Sequence, residues 1–200
     1  MTRKTRASLA TLQSEHHSIR AVLEAMAHFA QLGLAGDEVP EARVFRAMLM
    51  YVDTFAERVH HPKEERVLFP LLRQRSRAAV ALLDRLQLEH LRGAREVREL
   101  EQAFLHWEEG GPRYFADFGR RITDFVGHYR EHLRAEEREL IPLAEQALTE
   151  ADWKAVDASF EEGADPLRGP DGESDLRRLF THIVTITPAP LGVGDPLPRR

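Results

Sequence analysis

Four long stretches of this chain repeat apolar residues at helical spacing, and on each stripe a histidine interrupts the apolar face. In the first, Leu9, Leu12, Ile19, Leu23, Met26 and Ala30 mark a helix over about residues 9–34, which breaks down at "GLAGDEVP". The second starts after Pro40 and runs through Phe45, Leu49, Val52, Ala56, Val67 and Leu71 to near Arg75. The third carries Leu83, Leu86, Gly93, Val97, Leu100 and Phe104 until "EEGGP" stops it. The fourth follows Pro112 through Phe118, Ile122, Phe125, Tyr129, Leu133 and Leu140 to about Leu148. Four such helices joined by short polar links predict an all-α fold, an up-down-up-down four-helix bundle. Thr149, with Asp152 three places beyond it, caps a short fifth helix over "TEADWKAVDASF". "EEGADPLRGPDGES" then reads as a linker, "DLRRLFTHIV" as one more helix, and "TPAPLGVGDPLPRR" carries too much Pro and Gly to be helical. The bundle domain is therefore placed at 8–150, and 151–200 is a short helix with a Pro/Gly-rich C-terminal extension.

With 200 residues and 42% hydrophobic content, the chain builds one sizeable core rather than several. Its 28 basic and 33 acidic residues are interspersed, giving a net charge of -5, which argues against nucleic acid as the main partner. No apolar run is long enough to span a bilayer, and the N-terminal stretch lacks the apolar segment that drives secretion, so the reading is no membrane partner and a cytoplasmic location. There is no cysteine, so any metal must be held by His, Asp, Glu or Tyr.

Successive residues of a helix are turned by about 100°. On that count His16 shares the core face with Leu12, Ile19 and Leu23, while His17 sits one step around. His60 and Glu64 share a face with Ala56, Val67 and Leu71. His90 aligns with Leu83, Leu86, Gly93 and Val97, and His132 with Glu136 aligns with Phe125, Tyr129 and Leu140. One histidine on an apolar stripe is ordinarily a core residue satisfied by a hydrogen bond or a water. Four of them on four helices, with two glutamates sunk among them, need another explanation, because a buried carboxylate is costly unless its charge is met. A cluster of cations meets it. Each His-x-x-x-Glu pair lies one turn apart on one face, so the imidazole can hold one metal while the carboxylate reaches toward a second.

The segments "EHHSI", "HHPKEERVLFP", "LEHLRG" and "HLRAEERELIP" resemble the hemerythrin-like, or HHE cation-binding, domain, whose pattern is His, His-x-x-x-Glu, His, His-x-x-x-Glu on successive helices. The resemblance covers about residues 8–150. It implies that His16, His60, His90 and His132 are metal ligands and that Glu64 and Glu136 bridge. It also implies a non-haem di-iron centre, two iron ions with room for an oxo or hydroxo bridge, although the same ligand types suit manganese and zinc. Oxygen carriers of that family place a second histidine one turn beyond the third-helix ligand, where this chain has Ala94 after Gly93. His61, one residue past His60, and His128, one turn before His132, are the further candidates for the missing ligand. His28, His106 and His182 match no site pattern. A ferritin-like centre needs Glu-x-x-His on two helices, and the chain offers it once, as Glu57 and His60. A zinc-protease reading of "HYREH" fails on Tyr129, which stands where the catalytic glutamate belongs.

An open metal position inside a cage of Ile19, Leu23, Val52, Leu86, Phe125 and Tyr129 admits a small ligand, dioxygen, nitric oxide or peroxide, and keeps bulky substrates out. The leading expectation is a protein that binds or responds to such a ligand in sensing, storage or detoxification. A second is a di-iron enzyme with peroxidase, catalase-like or nitric-oxide-reducing activity. A third is a metal-stabilised signalling or adaptor module whose tail, from about Gly163, engages a partner. In that tail Leu176, Leu179, Phe180, Ile183 and Val184 are read as covering a bundle face, with a dimer contact as the alternative.

Overall fold

The computed structural model describes residues 6–161, 175–187 and 191–193. All of its regular structure is helical, with no strand among the described residues. Helix α1 is Ala7–Leu34 and α2 is one continuous path over residues 42–75. A 3-10 turn at Arg77–Ala79 leads into α3, Val80–Gly110, and another at Pro112–Tyr114 leads into α4, residues 115–147. Two shorter helices follow, α5 at Glu150–Glu161 and α6 at Asp175–Ile186. Gly111, at φ 85, supplies the left-handed residue that ends α3 at the expected "EEGGP". The cap read at Thr149 is a reciprocal box. The Asp152 N–H donates to Thr149 Oγ1 at 3.2 Å and the Thr149 N–H donates to Asp152 Oδ2 at 2.9 Å.

The second and fourth helices are not wound uniformly. In α2, π-helical segments occupy Val52–His60 and Glu64–Leu68, and α4 has one at Glu136–Leu140. Each runs up to a proline, at Pro62, Pro70 and Pro142 respectively. A proline inside a helix has no N–H to give, and its ring crowds the carbonyl four residues back. A wider turn relieves both problems. The N–H groups of His61, Phe69 and Ile141 accordingly donate five residues back, to the carbonyls of Ala56, Glu64 and Glu136.

The wider winding decides which residues face inward. Val52, Ala56, His60, Glu64, Leu68 and Leu72 form a seam of fourth residues along α2, every one of them at most 2% exposed. In a uniform α-helix a step of four overshoots a full turn by about 40°, so five steps would carry the seam roughly 200° around the cylinder. The underwound turns hold it straight. Here the structure corrects the sequence reading: Val67 and Leu71 are only half-buried, and Leu68 and Leu72 take their place in the core.

Helix α4 packs along α1 and α3, and α2 lies against α1 and α3. The apolar interior is in two parts. One cluster holds Ile19 to Ala30 of α1, Val44 to Ala56 of α2, Val97 to Phe104 of α3 and Phe115 to Leu133 of α4. The other holds Leu9 and Leu12 of α1, Leu68 to Leu72 of α2, Leu82 to Leu86 of α3 and Leu140 to Ala144 of α4, together with Leu148 just past α4 and Trp153, Val156 and Phe160 of α5. A fully buried Leu or Phe side chain contributes about 1.5–3 kcal/mol, so each cluster is a substantial clamp on what lies between. In sequence, that intervening layer is the histidines and glutamates.

Helix α6 packs on α2, with Ile183 joining the first cluster and Val184 half-buried. The side chains of Leu176, Leu179 and Phe180, the linker beyond residue 161 and the tail from residue 194 lie outside the described residues, as does the start of the proposed partner-binding tail at Gly163. No helix among the described residues is long and apolar enough to cross a membrane.

Candidate metal centre

The layer between the two apolar clusters is assembled from a unit used twice. Glu-His on α1 (Glu15, His16) recurs on α3 (Glu89, His90), and His-x-x-x-Glu-Glu on α2 (His60, Glu64, Glu65) recurs on α4 (His132, Glu136, Glu137). His16, His60, Glu64 and Glu136 are 0% exposed, and His61, His90 and His132 are no more than 5% exposed. The six residues read as ligands from the sequence therefore share one buried layer, and His61 is in it with them.

The outer nitrogen of four of the imidazoles is held by a glutamate. Nδ1 of His16 donates to Glu137 at 3.2 Å, that of His60 to Glu15 at 2.8 Å, that of His90 to Glu65 at 2.6 Å and that of His132 to Glu89 at 2.9 Å. Nδ1 of His61 lies 3.3 Å from Glu57. Such outer carboxylates fix ring orientation and leave Nε2 as the free electron pair. They follow the repeated unit: Glu15 and Glu89 of the Glu-His doublets serve His60 and His132, and Glu65 and Glu137, second in the Glu-Glu doublets, serve His90 and His16.

The inner atoms lack partners. Nε2 of His16, His60, His90 and His132 and both carboxylate oxygens of Glu64 and Glu136 are buried without a hydrogen bond. Glu136 lies 3.2 Å from His16 Nε2, 3.0 Å from His132 Nε2 and 3.6 Å from His90 Nε2, whereas Glu64 has a single such neighbour, His90 Nε2 at 3.6 Å. Leaving one buried polar atom unmet costs about 1–3 kcal/mol, so eight together in one layer are a donor set that suits a cation. Two groups could each hold a metal ion, His16, His60, Glu64 and Glu136, and His61, His90 and His132, the ligand atoms of each lying within 4.8 Å of one another.

When metal-free, the carboxylates favour protons on the facing imidazoles. Burial works against a charged ring, yet the facing glutamates overcome it and raise His16 and His90 to about 9 and His132 to about 10. Burial, reinforced by the charge of Glu136, pushes Glu64 well above the ordinary carboxylate range. Burial and the surrounding imidazoles keep His61 well below the ordinary histidine value, so it stays neutral. Burial also raises Glu57, to about 7.

His61 differs from the other four histidines: its Nδ1 makes no hydrogen bond, and its Nε2 is taken by the Tyr129 hydroxyl at 3.0 Å. Its ring stacks on His90 with centroids 3.9 Å apart. His128, the other further candidate, belongs to neither group; its ring is 45% exposed and is held by Arg92 at 2.8 Å and Glu96 at 3.1 Å. His17, His28, His106 and His182 are exposed. The six cage residues, Ile19, Leu23, Val52, Leu86, Phe125 and Tyr129, are all buried. Sequence reasoning did not assign Glu15, Glu65, Glu89 and Glu137 to their outer positions. Their signal was the doublets, Glu-His and Glu-Glu, which put a carboxylate beside His16, Glu64, His90 and Glu136.

Residues 4–144 match the family model described as the hemerythrin HHE cation binding domain. No curated protein matches the chain significantly.

Proposed function

The chain belongs to the hemerythrin HHE cation-binding domain family, and from that premise we propose that residues 8–150 form an up-down-up-down four-helix bundle around two iron ions that bind or respond to dioxygen, nitric oxide or peroxide. The order of the apolar clusters supports the bundle topology: α1 and α3 pass from the second cluster into the first, and α2 and α4 pass the other way. Residues 151–200 then serve as an extension, of which α5 lies on the second cluster and α6 on α2.

In this reading His16 and His60 would hold one ion, and His90, His132 and His61 the other. Glu64 and Glu136 would be shared, a role supported by the approach of Glu136 to His16 on one side and to His90 and His132 on the other. A bound iron pair supplies open coordination and electron exchange with small oxidising or radical ligands. The protein supplies the rest. Glu15, Glu65, Glu89 and Glu137 hold each Nδ1 proton outward, so the bare Nε2 faces the centre. The buried cage side chains exclude bulk water and confine the ligand to a few atoms.

The observation that carries this assignment is the set of four imidazole nitrogens and four carboxylate oxygens buried together without partners. Anaerobic reconstitution with ferrous iron, metal counting, and absorption spectra before and after air test it. Two metal ions per chain are expected from the two ligand groups, with His60→Ala and His132→Ala each losing most of the metal. Full occupancy in both variants refutes the ligand set. A reversible spectral change without turnover marks a carrier or sensor, and sustained consumption of peroxide or nitric oxide marks an enzyme.

A further inference from the structure

The two halves of the centre are not equally enclosed. Matching Glu-His on α1 to Glu-His on α3 pairs Ile19, which is 0% exposed, with Gly93. Where Ile19 fills the interior on one side, Gly93 leaves space on the other. A Cβ at Gly93 would come within 3.2 Å of Glu57 Oε1, so the missing side chain lets that carboxylate lie under α3 and opens the wall above it. A cavity of about 140 Å³ lies here between α3 and α4. Its inner end is made by His61, Tyr129 and His132, and its outer end by Arg92, Glu96 and His128.

We propose that this cavity is the portal through which a small uncharged ligand, of the class of nitric oxide, dioxygen or hydrogen peroxide, reaches the buried centre, entering past His61 and His132. The proposal rests on the di-iron reading above. The size fits a molecule of a few heavy atoms, since liquid water occupies about 30 Å³ per molecule. The Tyr129 hydroxyl, which meets His61 Nε2 at 3.0 Å, is the hydroxyl at the inner end, and would be released to donate to a ligand if that nitrogen were given to a metal. The lining carries the carboxylates of Glu89, Glu96 and Glu131 against one guanidinium, Arg92, an environment that gives a small anion no advantage over a neutral molecule.

The outer end is a latch of three side chains. Arg92 Nε donates to Glu96 at 2.7 Å, its terminal nitrogen lies 2.8 Å from the His128 ring, and His128 Nδ1 donates to Glu96 at 3.1 Å. A second cavity of about 200 Å³, reaching to Phe125 and Arg121, shares these three residues with the first. The latch is thus the partition between two spaces, and His128, half-exposed, is its outermost member. The residue that the sequence offered as a further ligand stands instead at the mouth.

The chain has no cysteine, so a single introduced thiol can be labelled selectively. In His128→Cys, a bulky disulfide-forming reagent plugs the mouth, and a reductant removes it from the same folded, metal-loaded sample. Anaerobic stopped-flow mixing of the ferrous protein with nitric oxide gives the association rate, and metal analysis runs alongside. The labelled protein is expected to bind nitric oxide roughly tenfold or more slowly, with full recovery on reduction, unchanged metal content, and no effect of the same label at Glu109→Cys on the exposed end of α3. An unchanged rate in labelled protein that retains its metal overturns the portal and leaves the di-iron reading standing. Unlabelled protein that takes up no metal overturns that reading and the portal with it.

Discussion

Glu64 and Glu136 occupy matching places in the repeated unit, yet the metal-free protein is expected to treat them very differently. At pH 7 His16, His90 and His132 are raised to about 9, 9 and 10 and carry protons. Glu136 is the carboxylate that faces all three, at 3.0–3.6 Å. Glu64 has His90 Nε2 at 3.6 Å, and burial with the charge of Glu136 pushes it well above the ordinary carboxylate range. Glu64→Gln therefore replaces a carboxyl that its surroundings bias toward the protonated form by an amide of nearly the same volume, and should cost less, about 1.5 kcal/mol or under. Glu136→Gln strips the counter-charge from three buried imidazolium groups, and breaking a buried pair costs about 3–5 kcal/mol. For a domain of this size 1 kcal/mol corresponds to about 2–4 °C, so Glu136→Gln should lower Tm by roughly 10 °C and Glu64→Gln by only a few degrees. Chelator-treated protein melted by far-ultraviolet circular dichroism measures both. With iron present, and on the proposed bridging role of both carboxylates, each variant should lose most of its metal. Equal destabilisation of the metal-free variants, or the reverse order, would refute the charge assignment within the layer.

Two further outcomes follow from the same layer. The folded values of His16, His90 and His132 lie above the ordinary 6.5, so their contribution is fully present below about pH 6.5 and is lost as pH rises through 9–10. Glu137, held at about 2 by the His16 hydrogen bond and by Arg20 despite burial, contributes above its ordinary 4.5 and loses that as pH falls toward 2; melts of chelated protein across pH should therefore peak between about 5 and 7. Iron-loaded protein should decline less on the alkaline side, since metal replaces the protons. His61→Leu copies the residue at the matching place in α4, Leu133, and competition titration should then find one tight and one weakened metal site; two sites of unaltered affinity would remove His61 from the ligand set.

Much of this was legible in the sequence, and the part that was not has one physical origin. The apolar stripes and their Pro and Gly stops located the long helices, and a phase of about 100° per residue was enough to point His16, His90 and His132 inward. That phase fails where the winding changes. His60 and His61 are adjacent and a uniform helix would bury only one, but the π segment ending at His60 and the proline at Pro62 let both enter the layer, at 0% and 4% exposure. The same slip moved the buried stripe from Val67 and Leu71 to Leu68 and Leu72. The available signal was a spacing of four sustained from Val52 to Leu72, with prolines inside it. A strict period of four cannot stay on one face of an α-helix, so its persistence, combined with interior prolines, is itself evidence for wider turns.

Those turns also explain how a repeated motif yields an uneven centre. Glu64 and Glu136 each open a π segment that ends just before Phe69-Pro70 or Ile141-Pro142, so both carboxylates are delivered by the same local geometry. Three of the positions that break the correspondence between these two helices bear on access to the layer: His61 against Leu133, Glu57 against Tyr129, and Lys63 against Ala135. Each break acts on one side. Lys63 Nζ donates to Glu15 at 2.6 Å and lies 5.9 Å over Phe160 of α5, which ties the outer carboxylate of His60 under a covering helix. His61, Glu57 and Tyr129 lie on the opposite side, beneath Gly93, where the cavity begins. A symmetric backbone thus fixes where two cations would sit, and three side-chain exchanges make one side closed and the other reachable. Reversible binding of a small ligand requires that division, because a centre sealed on both sides would admit nothing and one open on both would admit water to the carboxylates.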